Sequence, residues 1–427
     1  MNEDFLHYIW GFQLLDHAFL RTAADAIVQI LHPGIHNTDA GPDFFNAKVR
    51  IGDTVWVGNV EIHLRSSDWN RHAHSSDEAY NNVILHVVYE DDMMIYAKNE
   101  RLLPTIEIGQ RISSNLQGSY ARLLQSAAWV PCASSFSSVA KDKFYMDNFL
   151  ERVLISRLEE KCSHIFTMLE FSKNNWEEVF YWSLARSFGF KTNSEPFEML
   201  ARSIPLRIVH KHRGSRFQIE ALLYGQTGLL KADFQDEYPR QLLQEYRLLR
   251  RKYNLQPLAC HLWKFLRLRP SNFPTLRISQ FAQLLCNSHN LFDMIKENDV
   301  LLEQGNLFML EASEYWHSHY TFERKVRTSS RKVMGASSAD SILINAVAPF
   351  LFVYGQRNEL QSFKDKSLDL LANIQPENNA VIRGWNELGY KATSAFYSQA
   401  LLQLKSKYCQ KKKCLSCGVG NRILKNC

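Results

Sequence analysis

Apolar residues tend to alternate with polar ones between residues 26 and 108, and from about residue 110 they recur at helical spacing. This change of period limits the fold more than any other feature of the chain. Successive side chains on a strand point to opposite faces, whereas a helix returns to the same face after three or four residues. The segments Ala26–Leu31, Phe44–Ile51, Thr54–Leu64 and Val83–Tyr89 are rich in β-branched and aromatic residues, with Gly, Pro, Asn or Asp between most of them. Gly52-Asp53 has the chemistry of a tight hairpin turn between the second and third segments. Ile95–Ala97 and Ile106–Ile108 read as edge strands, and Ser75–Asn82 as a short helix or turn. Residues 4–15 have the spacing of a short amphipathic helix. Further along, helices are expected over Phe144–Phe171, Trp176–Phe188, Glu195–Ser203, Phe217–Tyr224, Leu242–Tyr253, Ile278–Ile295 and Asp340–Tyr354, with Pro205, Gly214, Gly228, Pro257, Pro270 and Pro274 as punctuation.

The pattern predicts an α+β protein. An N-terminal α/β domain occupies residues 1–110, a mostly helical body residues 111–400, and a Cys-rich basic tail residues 401–427. A hydrophobic fraction of 45% in 427 residues is enough apolar material for two or three ordinary cores. The acidic start Met-Asn-Glu-Asp is not followed by an apolar stretch, so a secretory signal is not expected. No uninterrupted apolar run reaches about 18 residues, so no membrane span is expected and the expected location is cytoplasmic.

The third strand carries the chemistry. In VWVGNVEIHL, Val60, Ile62 and Leu64 share one face, and Asn59, Glu61 and His63 share the other. Glu61 and His63 therefore point the same way, about 7 Å apart along the strand. Pairing of Phe44–Ile51 with Thr54–Leu64 would bring Asp43, which follows Pro42, close to Glu61. Converging acids of this kind hold a divalent cation for phosphodiester cleavage. The plainer reading is a half-buried sheet with one wet polar face.

Gly-Pro-Asp, a hairpin and then Glu-x-His resembles the PD-(D/E)XK nuclease superfamily, which has a restriction-endonuclease-like core of a helix followed by mixed strands. The resemblance implies that Asp43 and Glu61 ligate Mg²⁺ or Mn²⁺, and that His63 stands where a lysine helps activate water. Because a neutral imidazole is not a fixed cation, this departure bears on activity more than on fold. Members of the superfamily also carry an acid on the first helix; Glu3 is the candidate here, with Gln29 on the first strand a weaker one. GPDF, VEIHLRSSDW, RHAHSSDEAYNNVILHVV and the Cys-rich tail also resemble a family of bacterial proteins of unknown function.

A second reading comes from the run SSDWNRHAHSSDEAYNNVILHVV. His72 and His74, together with Asp43, Glu61 and His63, would suit Zn²⁺ or Mn²⁺ in a His/carboxylate hydrolase of small molecules. His86 lies within an apolar strand and reads as a hydrogen-bonded sheet residue, and Trp69 and Tyr80 read as packing residues. A third reading is a catalytically inactive nucleic-acid-binding or scaffold protein of the same fold.

The tail supplies Cys409-x4-Cys414-x2-Cys417, spacing that suits soft metal ligation by Zn²⁺ or an iron–sulfur cluster. Cys132 is the favoured fourth ligand and Cys427 the nearest in sequence. One cysteine near the domain boundary with three near the C-terminus resembles, by analogy, the iron–sulfur staple of some helicase-associated nucleases. Cys162, Cys260 and Cys286 read as small core residues.

Net charge is only +6, but it is clustered: Arg247–Arg277 contains eight Lys or Arg and no acid, and Lys405–Lys425 contains seven and no acid. Trp263, Phe265 and Phe273 interleave with the first group, and Arg324, Lys325, Arg327, Arg331 and Lys332 form another. Nucleic acid is the partner such clusters fit. An amphipathic helix with its aromatics in the core and its charges in water is the alternative.

Overall fold

The computed structural model describes residues 2–98, 100–288, 290–297 and 306–426. The chain forms two compact units. The first comprises Met1–Met146, Leu388–Tyr390 and Leu404–Cys427, and the second Asp147–Glu387 and Lys391–Gln403. The architecture is mixed α+β, with the six-stranded sheet in the first unit and a helical second unit.

The first unit starts with helix α1 (Glu3–Phe12). Asn2 caps it by accepting from the Phe5 N–H, and acids sit in its first turn, where the helix dipole favours them. The strands β1 (Val28–His32), β2 (Ile35–His36), β3 (Phe44–Ile51), β4 (Thr54–Arg65), β5 (Val83–Glu90) and β6 (Thr105–Glu107) follow. The path β1-β3-β4-β5-β6 is antiparallel as far as β4 and parallel from β4 to β6, while β2 pairs with β3. The hairpin turn is Gly52-Asp53 as expected: Ile51 pairs with Thr54, and Gly52 has φ +57°, which glycine adopts without steric cost. The expected strand Ile95–Ala97 is reduced to one bridge between Tyr96 and Leu102.

The parallel pairing of β4 and β5 requires a crossover, and residues 66–82 provide it. The crossover contains helix α2 (Asp68–Arg71) and the 3-10 turns His74–Ser76 and Glu78–Tyr80. Trp69 anchors it, fully buried against Val83, Ile95 and Leu103 with Tyr80 packed alongside. The crossover removes the wet face that simple alternation leaves on β4. Both Glu61 and His63 are buried, at 4% and 2% exposure, as are Val60 and Ile62 on the opposite face. Gly58 allows this close packing, because a Cβ there would lie 2.4 Å from Ile84 Cγ2.

The second unit is helical. The expected segments Trp176–Phe188, Phe217–Tyr224 and Leu242–Tyr253 fall on the helices Trp176–Phe188, Arg216–Gln226 and Glu237–Tyr253. Ile278–Ile295 is split between Pro274–Asn287 and Leu291–Glu297. Ala336–Arg357 is long and apolar enough to cross a membrane by length and composition, and 67% of its apolar 18-residue window is buried inside the protein, as in a core helix.

Candidate functional site

The β3–β4 pairing sets the site. Phe44 pairs with Val60, so the register places Asp43 opposite Glu61. Past this last pair, side chains take over the ladder: the Asp43 N–H donates to Glu61 Oε2 at 3.2 Å, and the Ile62 N–H donates to Asp43 Oδ2 at 2.9 Å. An extra residue in β3 between Phe44 and Ala47 leaves Asn46 at φ +55°, a bulge that re-aims the strand entrance.

Histidines converge on Glu61 from two elements. His63 Nε2 lies 3.6 Å from Glu61 Oε1, and His74 Nε2 lies 3.3 Å from the same oxygen. His72 Nδ1 is 3.2 Å from His63 Nε2. One ligand nitrogen each from His63, His72 and His74 fall within 4.8 Å of one another. Ala73, at φ +58°, turns the chain so that the rings of both His72 and His74 meet that of His63. A non-glycine residue in the left-handed region costs of order 1 kcal/mol and persists only where its surroundings impose it. Tyr80 stacks on His74 at 3.8 Å between ring centroids, and Trp69 packs edge-on against it. His72 is exposed and opens the cluster to solvent.

Burial keeps the His63 and His86 imidazoles neutral. Burial, and then the neighbouring His86, His74 and His72, push His63 down to about 2. Burial pushes His86 down to about 3. Burial raises Glu61, as does the charge of Asp43, while His74 and the Asp43 N–H oppose the rise. His63 therefore offers a lone pair and not the fixed positive charge of a lysine. His63 Nδ1 and His86 Nε2 share a hydrogen bond of 2.8 Å, which holds the His63 ring and leaves Nε2 for the cluster. His86 is thus a hydrogen-bonded strand residue, and its partner is a ring rather than the sheet. His74 is buried, and its Nε2 faces Glu61 Oε1.

The sequence pattern does not single out His7 or His36. His7 Nε2, on α1, lies 3.2 Å from Asp43 Oδ2. Burial opposes its charge, yet Asp43 and then Asp4 and Glu3 hold its pKa above the ordinary value. Glu3 sits one helical turn before His7, so its influence on the site runs through that charge. The His36 ring packs against His7 and Phe44. The available signal for His7 is its i, i+4 spacing from Glu3 on the amphipathic helix. Gln29 pairs with Arg50 at the far end of β3 from Asp43 and is no part of the cluster. Asp68 and Asp77 cap local turns: Asp68 accepts from the Arg65 N–H, and Asp77 from the Ala79 N–H.

Elsewhere in this unit Cys132, Cys409, Cys414 and Cys417 are buried around one small cavity. Cys427 lies outside the described residues. Cys162 is buried in a helix as expected, but Cys260 is exposed on a 3-10 turn and is no core residue. In the second unit Trp263 is buried and donates to the Thr227 carbonyl, so it is no stacking platform. Residues 254–273 form short 3-10 turns rather than an amphipathic helix. Arg277 is 3% exposed, its guanidinium bonded to Gln280, Asn272 and Ser338, which removes it from the basic surface. Arg247, Arg250, Arg251, Lys252, Lys264, Arg267 and Arg269 are exposed.

No curated protein and no solved structure matches this chain. A family model described as "Protein of unknown function (DUF2851)" matches residues 3–380, which include the whole histidine and carboxylate cluster and stop short of the Cys-rich tail. The chain belongs to this DUF2851 family.

Proposed function

We propose that the protein is a transition-metal-dependent hydrolase that cleaves phosphodiester bonds in nucleic acid, with Glu61, His63, His72 and His74 as the metal ligands. The observation that carries this reading is the gathering of three imidazoles and a carboxylate: His63 and His74 Nε2 lie 3.6 and 3.3 Å from Glu61 Oε1, and His72 Nδ1 lies 3.2 Å from His63 Nε2. Tetrahedral ligands at metal–nitrogen distances near 2.0–2.1 Å stand about 3.4 Å apart. The buried His74 Nε2 faces Glu61 Oε1, a nitrogen and a carboxylate oxygen set as two ligands of one cation are. A set of three nitrogens and one oxygen suits Zn²⁺ or Mn²⁺ and not Mg²⁺, which prefers oxygen alone.

The phosphodiester substrate rests on the arrangement around the ligands. What supports it is a helix followed by mixed strands, as the PD-(D/E)XK resemblance implies, with Asp43 at the entrance of the antiparallel β3–β4 hairpin. A bound cation would supply Lewis acidity and a water of lowered pKa. Asp43 orients the β4 backbone at Glu61 and raises the pKa of His7 beside the site, which favours the cationic ring and so a phosphate there. The exposed arginines and lysines of residues 247–269 suit the phosphate backbone.

The test is cleavage of a panel of labelled DNA and RNA with Zn²⁺, Mn²⁺ or Mg²⁺, using wild type, Glu61→Ala and His72→Ala with metal content measured on each. Cleavage supported by Mn²⁺ or Zn²⁺ and lost together with the metal in both variants is expected. A bound metal without nucleic-acid cleavage would move the substrate to a small molecule. Salt-sensitive nucleic-acid binding without metal would move the reading to a non-catalytic binding protein.

A further inference from the structure

Four cysteines distant in sequence meet in the first unit. Cys132 immediately precedes helix α4 (Ala133–Ala140), which follows helix α3 (Ser114–Gln125). Cys409, Cys414 and Cys417 come from the C-terminal segment. All four are 6–8% exposed and line one cavity, and no His, Asp or Glu lines it with them.

We propose that Cys132, Cys409, Cys414 and Cys417 bind an iron–sulfur cluster that fastens the C-terminal segment to the start of α4. This site is independent of the histidine and carboxylate centre and shares no residue with it.

Cys414–Ser416 forms a 3-10 turn, and Cys417 is the N-cap of the helix Gly418–Lys425. There the Val419 and Gly420 N–H groups reach the Cys417 sulfur. Such N–H···S contacts support a metal-bound thiolate and tune a cluster's potential. Gly420 permits the turn to close, because a Cβ at this position would lie 2.2 Å from the Cys414 carbonyl oxygen. Four thiolates also need compensating charge. Lys413 lines the cavity, and the charges of Lys405 and Lys412 reach Cys409 and Cys414. Ordinary core packing calls for neither the lysines nor the N–H groups aimed at sulfur.

Zinc is the other soft occupant that four thiolates suit, and the metal and sulfide content of the protein tells the two apart. Zinc with Zn–S bonds near 2.3 Å draws four sulfurs to about 3.8 Å from one another. A cluster of several irons, each taking one thiolate, holds its cysteines farther apart than a single zinc ion does. The segment fastened in this way is already docked by Tyr145 donating to the Gly418 carbonyl at 2.7 Å and by Arg422 pairing with Asp142 at 2.9 Å. Loss of the cluster would therefore loosen the tail without unfolding the sheet.

The test uses the full chain, purified without oxygen and also reconstituted with ferrous iron and sulfide. Iron, acid-labile sulfide and zinc are measured per chain, with the visible absorbance spectrum. The His72→Ala background is included so that metal at the histidine centre is not counted. Iron and sulfide in equal amounts are expected, with a broad visible band. Both should be lost in Cys132→Ser and in Cys414→Ser and kept in Cys260→Ser. Because a cysteine variant can fail to fold, the cluster is also removed from wild type by chelator and oxidant. Limited proteolysis should then cut the chain first between residues 404 and 426. Stoichiometric zinc without sulfide in the His72→Ala background would overturn the cluster. Absence of iron and sulfide after reconstitution of folded protein would overturn it equally.

Discussion

The hydrogen bond between His63 and His86 separates a metal centre from a merely packed histidine cluster. If His63 Nε2 faces the ligand set, its hydrogen sits on Nδ1 and is donated to His86 Nε2 across 2.8 Å. Neutral His86 then keeps its own hydrogen on Nδ1, a buried atom with no hydrogen-bond partner. In His86→Phe the ring volume is nearly kept, and the His63 N–H loses its acceptor, at a cost of about 1–3 kcal/mol. The same change removes the unpartnered His86 Nδ1, which offsets a similar amount. The metal-free protein should therefore unfold within about 1 kcal/mol of wild type, as followed by urea denaturation. Metal affinity should behave differently, because losing a partner that orients a ligating imidazole typically weakens binding about 10–100-fold, or about 1.4–2.7 kcal/mol. Competition against a chromogenic chelator for Zn²⁺ and Mn²⁺ measures this directly. A folded His86→Phe protein that binds metal as tightly as wild type would refute the assignment of His63 as a ligand oriented by His86.

Acid should destabilise the fold from an unusually high pH. His63 and His86 stay neutral in the folded state down to about 2 and about 3, while the unfolded chain takes up these protons near 6.5. Their contribution is present above pH 6.5 and is lost as pH falls, at most about 1.4 kcal/mol per pH unit for each. The raised pKa of His7 works in the opposite direction, adding stability below 6.5 that is lost as pH rises through its folded value. Urea midpoints between pH 7 and pH 4.5 should fall for wild type and fall less for His86→Phe. Asp43→Asn removes the negative charge that raises the His7 pKa, so a ring-proton NMR titration should show that pKa dropping. Gly58→Ala forces a Cβ against Ile84 and the Asn82 carbonyl and should cost about 1–3 kcal/mol in thermal or urea denaturation. Arg277→Met should lower stability yet leave nucleic-acid affinity unchanged, whereas Arg250→Glu with Arg251→Glu should weaken binding and flatten its salt dependence, measured by fluorescence anisotropy.

The sequence by itself determined the elements, the hairpin and the chemically active strand. Alternation placed Glu61 and His63 on one face, and Gly52-Asp53 fixed the turn whose register sets Asp43 opposite Glu61. These are local properties, written in spacing and turn chemistry. Tertiary structure decided what lies over that face. A crossover between parallel strands was needed to join β4 to β5, and it carried His72 onto His63 and His74 onto Glu61 and buried a surface that alternation alone leaves wet. The packing of α1 brought His7 to Asp43, from residues 36 positions earlier in the chain. Burial then set the charges, because an imidazole removed from water and ringed by other imidazoles cannot keep a proton. The meeting of Cys132 with the C-terminal cysteines has the same character: residue type and spacing made them candidates, and only the folded chain brings them to one cavity. Arg277 shows the reverse, since a sequence reads it as one of a basic run and packing places it in the core with neutral partners.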